Sequence, residues 1–125
     1  MKLTEKKAIT MLERARLWEV EEAIDMYPEN ERDGRDDFQM LADEAGYILS
    51  LYDEDTCHAD DLKQSKEILR ATNYGKSIDP VWVSTLKPVY KKSDIECAKD
   101  SVNEYNRLKR FVERLEKIGY YSKWL

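Results

Sequence analysis

The sequence predicts an all-α protein: a small helical bundle of three to four main helices with a long C-terminal helix, in a single domain spanning residues 1–125. Three observations carry this. Four Gly and three Pro in 125 residues leave few positions that break a helix. Charged residues make up 38% of the chain, and the straight-chain Glu, Lys and Arg among them are good helix formers. Apolar residues recur at three- and four-residue spacing over long stretches. A chain of this length buries about two thirds of its unfolded surface, enough for one sizeable core.

The first helix is expected to start near Thr4 as N-cap, with Glu5 in its first turn, and to run to Tyr27 before Pro28. Its stripe reads Ala8, Met11, Leu12, Ala15, Trp18 and Ile24, with Arg14, Arg16, Glu19, Glu21 and Glu22 mostly outside. Residues 28–35, PENERDGR, read as an acidic loop. Asp36 or Asp37 caps a second helix whose stripe is Phe38, Leu41, Ala45, Ile48, Leu49 and Tyr52. Gly46 inside it costs about 1 kcal/mol relative to Ala unless it admits a close neighbour.

Residues 53–61, DEDTCHADD, gather five carboxylates, the one histidine and Cys57. They read as a helix start: Asp55 or Thr56 as cap, with acids in the first turn where the helix dipole favours them. Leu62, Ile68, Leu69 and Ala71 continue that helix toward Tyr74, with Gly75 as its stop. Residues 79–87 fit a short helix, because Asp79-Pro80 suits N-cap and first helical position; VWVST within them also fits a short strand. The final helix opens on Ser93 and Glu96 as a capping box. It carries Ile95, Ala98, Val102, Tyr105, Leu108, Val112, Leu115 and Ile118 at helical spacing and stops at Gly119.

Several chemistries lack their residues. Adjacent Cys57 and His58, with no second histidine, do not supply zinc spacing. An EF-hand loop counted from Asp53 has His58 where Gly belongs and Gln64 where Glu belongs. Gly75-Lys76-Ser77 lacks the upstream glycine of a phosphate-binding loop, since position 70 is Arg70. No metal, cofactor or catalytic residue is therefore assigned.

Charge is the strongest functional signal. Residues 1–62 carry 18 acidic and 7 basic side chains, and residues 63–125 carry 8 and 14. Such halves pair with each other, with a second copy, or with a charged partner. The expected acidic binding face is Glu19, Glu22, Asp25, Asp36, Asp43 and Glu44. The expected basic stripe is Arg107, Arg110, Arg114 and Lys117, which share a face of the last helix. Trp124, near the chain end, must fold back or enter a partner.

These features point to a non-catalytic protein-interaction module that binds a protein partner or itself. One alternative is a small acidic inhibitor of phage or mobile-element type, mimicking nucleic acid toward a basic protein. Another is a Mg-dependent nucleotide hydrolase using Glu19, Glu22, Asp43 and Glu44. A pI near 5.0 argues against nucleic acid as direct ligand. Two cysteines make no disulfide framework; the charged opening residues lack the apolar stretch of a signal sequence, so none is expected, and no apolar run reaches membrane length. A cytoplasmic location is expected.

Overall fold

The computed structural model describes residues 3–26, 35–53, 56–76 and 91–125. Every regular element among them is helical: α1 (Lys6–Ala15), α2 (Trp18–Met26), α3 (Asp37–Ser50), a 3-10 turn (Leu51–Asp53), α4 (Cys57–Lys76) and α5 (Lys92–Lys117). The all-α bundle and its long last helix are as the sequence predicts. No helix among the described residues is long and apolar enough to cross a membrane. The PENERDGR loop (all but Arg35) and the 79–87 segment lie outside the described residues.

The first predicted helix is in fact two. Arg16 takes a left-handed conformation (φ 52°, ψ 51°) and caps α1, its N–H donating to the Glu13 carbonyl. The reason lies in the phase of the apolar residues. On an unbroken helix at about 100° per residue, Leu17, Val20 and Ile24 would sit roughly 150° around from Ala8, Leu12 and Ala15. A single helix cannot bury both sets on one side. The break re-aims the second set, and Ala8, Leu12, Leu17, Val20 and Ile24 all become buried. Trp18 lies about 130° around the helix from Leu17, Val20 and Ile24, so burying that set turns it outward to 63% exposure. It does not belong to the core stripe.

α3 is the central element, and α1, α2 and the second half of α5 pack on it. Their core comprises Ala8, Leu12, Leu17, Val20, Ile24, Met40, Leu41, Ala42, Ala45, Ile48, Leu108, Phe111, Val112 and Leu115. Fully burying each of the larger of these contributes about 1.5–3 kcal/mol. α4 packs along α5, where Leu62, Ile68 and Ala98 are buried outside that main core. The 26 residues of α5, about 39 Å at helical rise, thus serve both groups.

The caps hold most of the detail. Asp36 caps α3 by accepting from Gln39 N (2.8 Å). Thr56 caps α4: its Oγ1 accepts from Ala59 N (3.3 Å) and donates to the Leu51 carbonyl. Gly119 (φ 98°) ends α5, with Tyr120 N on Leu115 O (2.9 Å) and Gly119 N on Glu116 O (3.0 Å). These are the two bonds of a Schellman stop.

Three expected ends move. α1 starts at Lys6 with Glu5 rather than Thr4 as N-cap. α5 starts at Lys92 with Lys91 as N-cap, and Asp94 rather than Glu96 reaches back, accepting from Lys91 N at 3.0 Å. A lysine side chain cannot accept a hydrogen bond, so only the Asp94 half of the box forms, and the earlier start adds two residues of helix. α4 runs through Gly75 to Lys76; a glycine cost of about 1 kcal/mol is small enough for a helix to absorb.

Candidate functional site

The predicted acidic face divides into three. Glu22 and Asp25 on α2 are exposed. Trp18 and Met26 share that outer face, at 63% and 80% exposure, since positions 18, 22, 25 and 26 follow helical spacing. α2 therefore shows solvent an acidic stripe flanked by two large apolar side chains.

Asp36, Asp43 and Glu44 instead lie where the last residues of the chain dock on α3. Asp36 accepts from Tyr120 Oη (3.1 Å) as well as capping its helix. Asp43 is buried. It pairs with Arg35 at 2.7 Å and accepts from Gln39 Nε2 (3.1 Å) and Lys123 N (3.2 Å). It does not present a carboxylate to solvent. Gln39 Nε2 also donates to Tyr121 O at 2.8 Å. Phe38 stacks on Tyr120, and Tyr47 meets Trp124 edge-on at 5.0 Å. Trp124 thus folds back, half exposed, with Lys123 Nζ 5.3 Å from its ring centre. Gly46 allows this: Ser122 sits where a Cβ would be. Partial burial raises the pKa of Glu44 above the usual carboxylate value; Arg35 opposes the shift, Asp43 adds to it and Lys123 opposes it.

Glu19 takes a third role. Both its carboxylate oxygens lie 3.0–3.1 Å from His58 Nε2, joining α2 to the start of α4. Tyr52 packs edge-on to that imidazole and against Tyr105. Together with Cys57, Asp61, Leu62, Ser101 and Glu104, the side chains of Glu19, Tyr52 and His58 line a polar pocket of about 220 Å³. Burial, and then the negative charges of Glu19, Glu104 and Asp61, push the Tyr52 phenol up to about 12. The imidazole is directed at Glu19 rather than at the Cys57 thiol. Among the described residues no three His, Cys, Asp or Glu side chains converge as metal ligands. The carboxylates of the hydrolase reading are not gathered: Glu19 turns to His58, and Asp43 to Arg35.

The basic stripe gains a second helix. Arg107, Arg110 and Arg114 of α5 line a groove of about 320 Å³ with Arg14 and Ala15 of α1 and with Phe111. An adjoining depression of about 540 Å³ shares Arg14 and Arg114 and adds Lys6, Lys7, Thr10 and Met11. Among the described residues no carboxylate lines either. Arg110, Arg114 and Lys117 are exposed. Arg107 is half-buried; its Nη2 lies 3.5 Å from Arg16 O, and its buried Nε has no partner among the described residues. None of Arg14, Arg110 and Arg114 forms an ion pair among the described residues.

Arg14 lies outside the sequence-predicted stripe, over ninety residues away in the chain. The signal for it is geometric: Ala15 packs against the core that Phe111 belongs to, which brings the neighbouring arginines together. No family model matches the chain, and no curated protein or solved structure matches it.

Proposed function

We propose that this protein is a non-catalytic interaction module that binds another protein chain through oppositely charged helix faces. One observation carries the reading: the arginines of the α1–α5 groove are not consumed by the acidic half of the same chain among the described residues. Like charges lining one groove repel, and a fold gains nothing from keeping them together. A partner that neutralises them gains orientation and association rate. The apolar floor formed by Met11, Ala15 and Phe111 supplies the uncharged contact that protein partners use. The reading as a nucleic-acid mimic has less support, because Asp36 and Asp43 bond within the fold and the exposed acidic array is correspondingly narrower.

The test is retention by a tagged chain in extracts of its native cell, at low and high salt, beside the Arg110→Glu/Arg114→Glu double variant. Support is a stoichiometric protein, a second copy included, held by the parent and released by salt and by the variant. Equal retention by the variant contradicts the reading. So does Mg²⁺-dependent nucleotide turnover by the pure chain that disappears in Glu19→Gln.

A further inference from the structure

We infer that the occupant of the α1–α5 groove is the outer face of α2 from a second copy of this chain. The inference rests on the interaction reading above and names its partner. The groove offers Arg14, Arg107, Arg110 and Arg114 around Ala15 and Phe111, and it continues over Lys6, Lys7 and Met11. The α2 stripe offers Glu22 and Asp25 flanked by Trp18 and Met26. One face is cationic with apolar gaps; the other is anionic with apolar projections. Charge pairing sets register, while a large aromatic in an apolar recess supplies the anchoring contact typical of protein interfaces.

Position in the chain favours reciprocity. Ala15 lines the groove and Trp18 begins the stripe, with only Arg16 and Leu17 between them. Groove and stripe therefore adjoin. A patch made of two adjoining complementary halves is self-complementary under a two-fold axis: each copy inserts its stripe into the other's groove, and the assembly closes at two. The left-handed turn at Arg16 makes this possible, because it turns Trp18 away from the core that Ala15 joins. A polyphosphate occupant would match the arginines but leave Trp18 and Met26 in water, which is why the second copy is favoured.

The experiment is sedimentation equilibrium over a wide concentration series at low salt and at about 0.5 M salt, where the Debye length is only a few ångströms. The parent chain is expected to rise from 14.8 kDa toward twice that mass, and salt to shift the midpoint to higher concentration. Arg110→Glu/Arg114→Glu is expected to stay monomeric, as is Glu22→Lys/Asp25→Lys. The chain carrying all four changes restores complementarity and dimerises. Circular dichroism checks that each variant is folded, and the four-change chain supplies a readout that misfolding cannot mimic.

A parent chain that stays monomeric throughout overturns the inference, as does a dimer indifferent to both reversals. A monomer that takes up inorganic polyphosphate or duplex DNA through Arg110 and Arg114 also overturns it, reassigning the groove to phosphate. The broader interaction reading survives a monomeric result if the tagged chain still retains a different protein that Arg110→Glu/Arg114→Glu releases.

Discussion

Asp37 holds the start of α1 from the first turn of α3: its buried Oδ2 accepts from Thr4 N at 2.6 Å, Glu5 N at 2.5 Å and Thr4 Oγ1 at 3.1 Å. One carboxylate thus sits at two helix N-termini, where free N–H groups and both dipoles favour negative charge. Hydrogen bonds to a charged acceptor contribute about 1.5–3 kcal/mol each when partly buried, less where water replaces them. Asp37→Ala is expected to destabilise the fold by about 3 kcal/mol, and Asp37→Asn by less. Urea denaturation measures both, and an Ala variant of unchanged midpoint would refute the assignment.

Arg16 carries the backbone strain of the α1–α2 turn. A left-handed conformation costs a non-glycine residue about 1–2 kcal/mol, and glycine returns about 0.5–1 of that as lost chain entropy. Arg16→Gly is therefore expected to stabilise by up to about 1 kcal/mol, and Arg16→Ala, which keeps the Cβ, to give no gain. Thermal unfolding of the two variants separates backbone relief from loss of the Arg side chain.

Gly46→Ala sets two effects against each other. In a helix interior the change gains about 1 kcal/mol of propensity. Here the new Cβ meets Ser122, and overpacking costs about 1–3 kcal/mol. The second effect wins if the last residues are firmly docked. The expected outcome is net destabilisation, with faster amide exchange at Lys123, whose N–H bonds to Asp43. Net stabilisation with unchanged exchange would mean that the docking is weak.

Glu44 has a raised pKa, chiefly through burial, so folding prefers its neutral form. That preference is fully present below the ordinary value of 4.5 and is lost as pH rises through the higher folded-state value. Ionised Glu44 therefore costs stability at neutral pH. Glu44→Gln is expected to unfold at a higher temperature than the parent at pH 7, with the difference shrinking as pH falls below about 4.5. A difference that grows on acidification has the wrong sign.

The fold class was legible because long amphipathic runs separated by few breakers leave little choice. So were the ends marked by local chemistry: Asp36, Thr56 and Gly119 each act within a few residues of themselves. Where the reading failed, the deciding interaction was non-local. The break at Arg16 was written in the phase of Leu17, Val20 and Ile24, and assigning Trp18 and Ile24 to the first stripe passed over that change of phase. Asp43 looked like a surface acid and Asp37 like a cap for its own helix, because their partners, Lys123 and Thr4, lie far off in sequence. The arginine stripe was visible as spacing on one helix; that Arg14 completes it required the packing of α1 on α5.

The central claim is that the groove arginines serve binding and not the fold. Surface charges without partners contribute within about 0.5 kcal/mol of stability. Urea denaturation of Arg110→Ala/Arg114→Ala tests this most directly. The predicted result is a midpoint equal to the parent's, or slightly higher at low salt as like charges are removed from one groove. A loss of about 2 kcal/mol or more would show that these arginines hold the bundle together, contradicting the account.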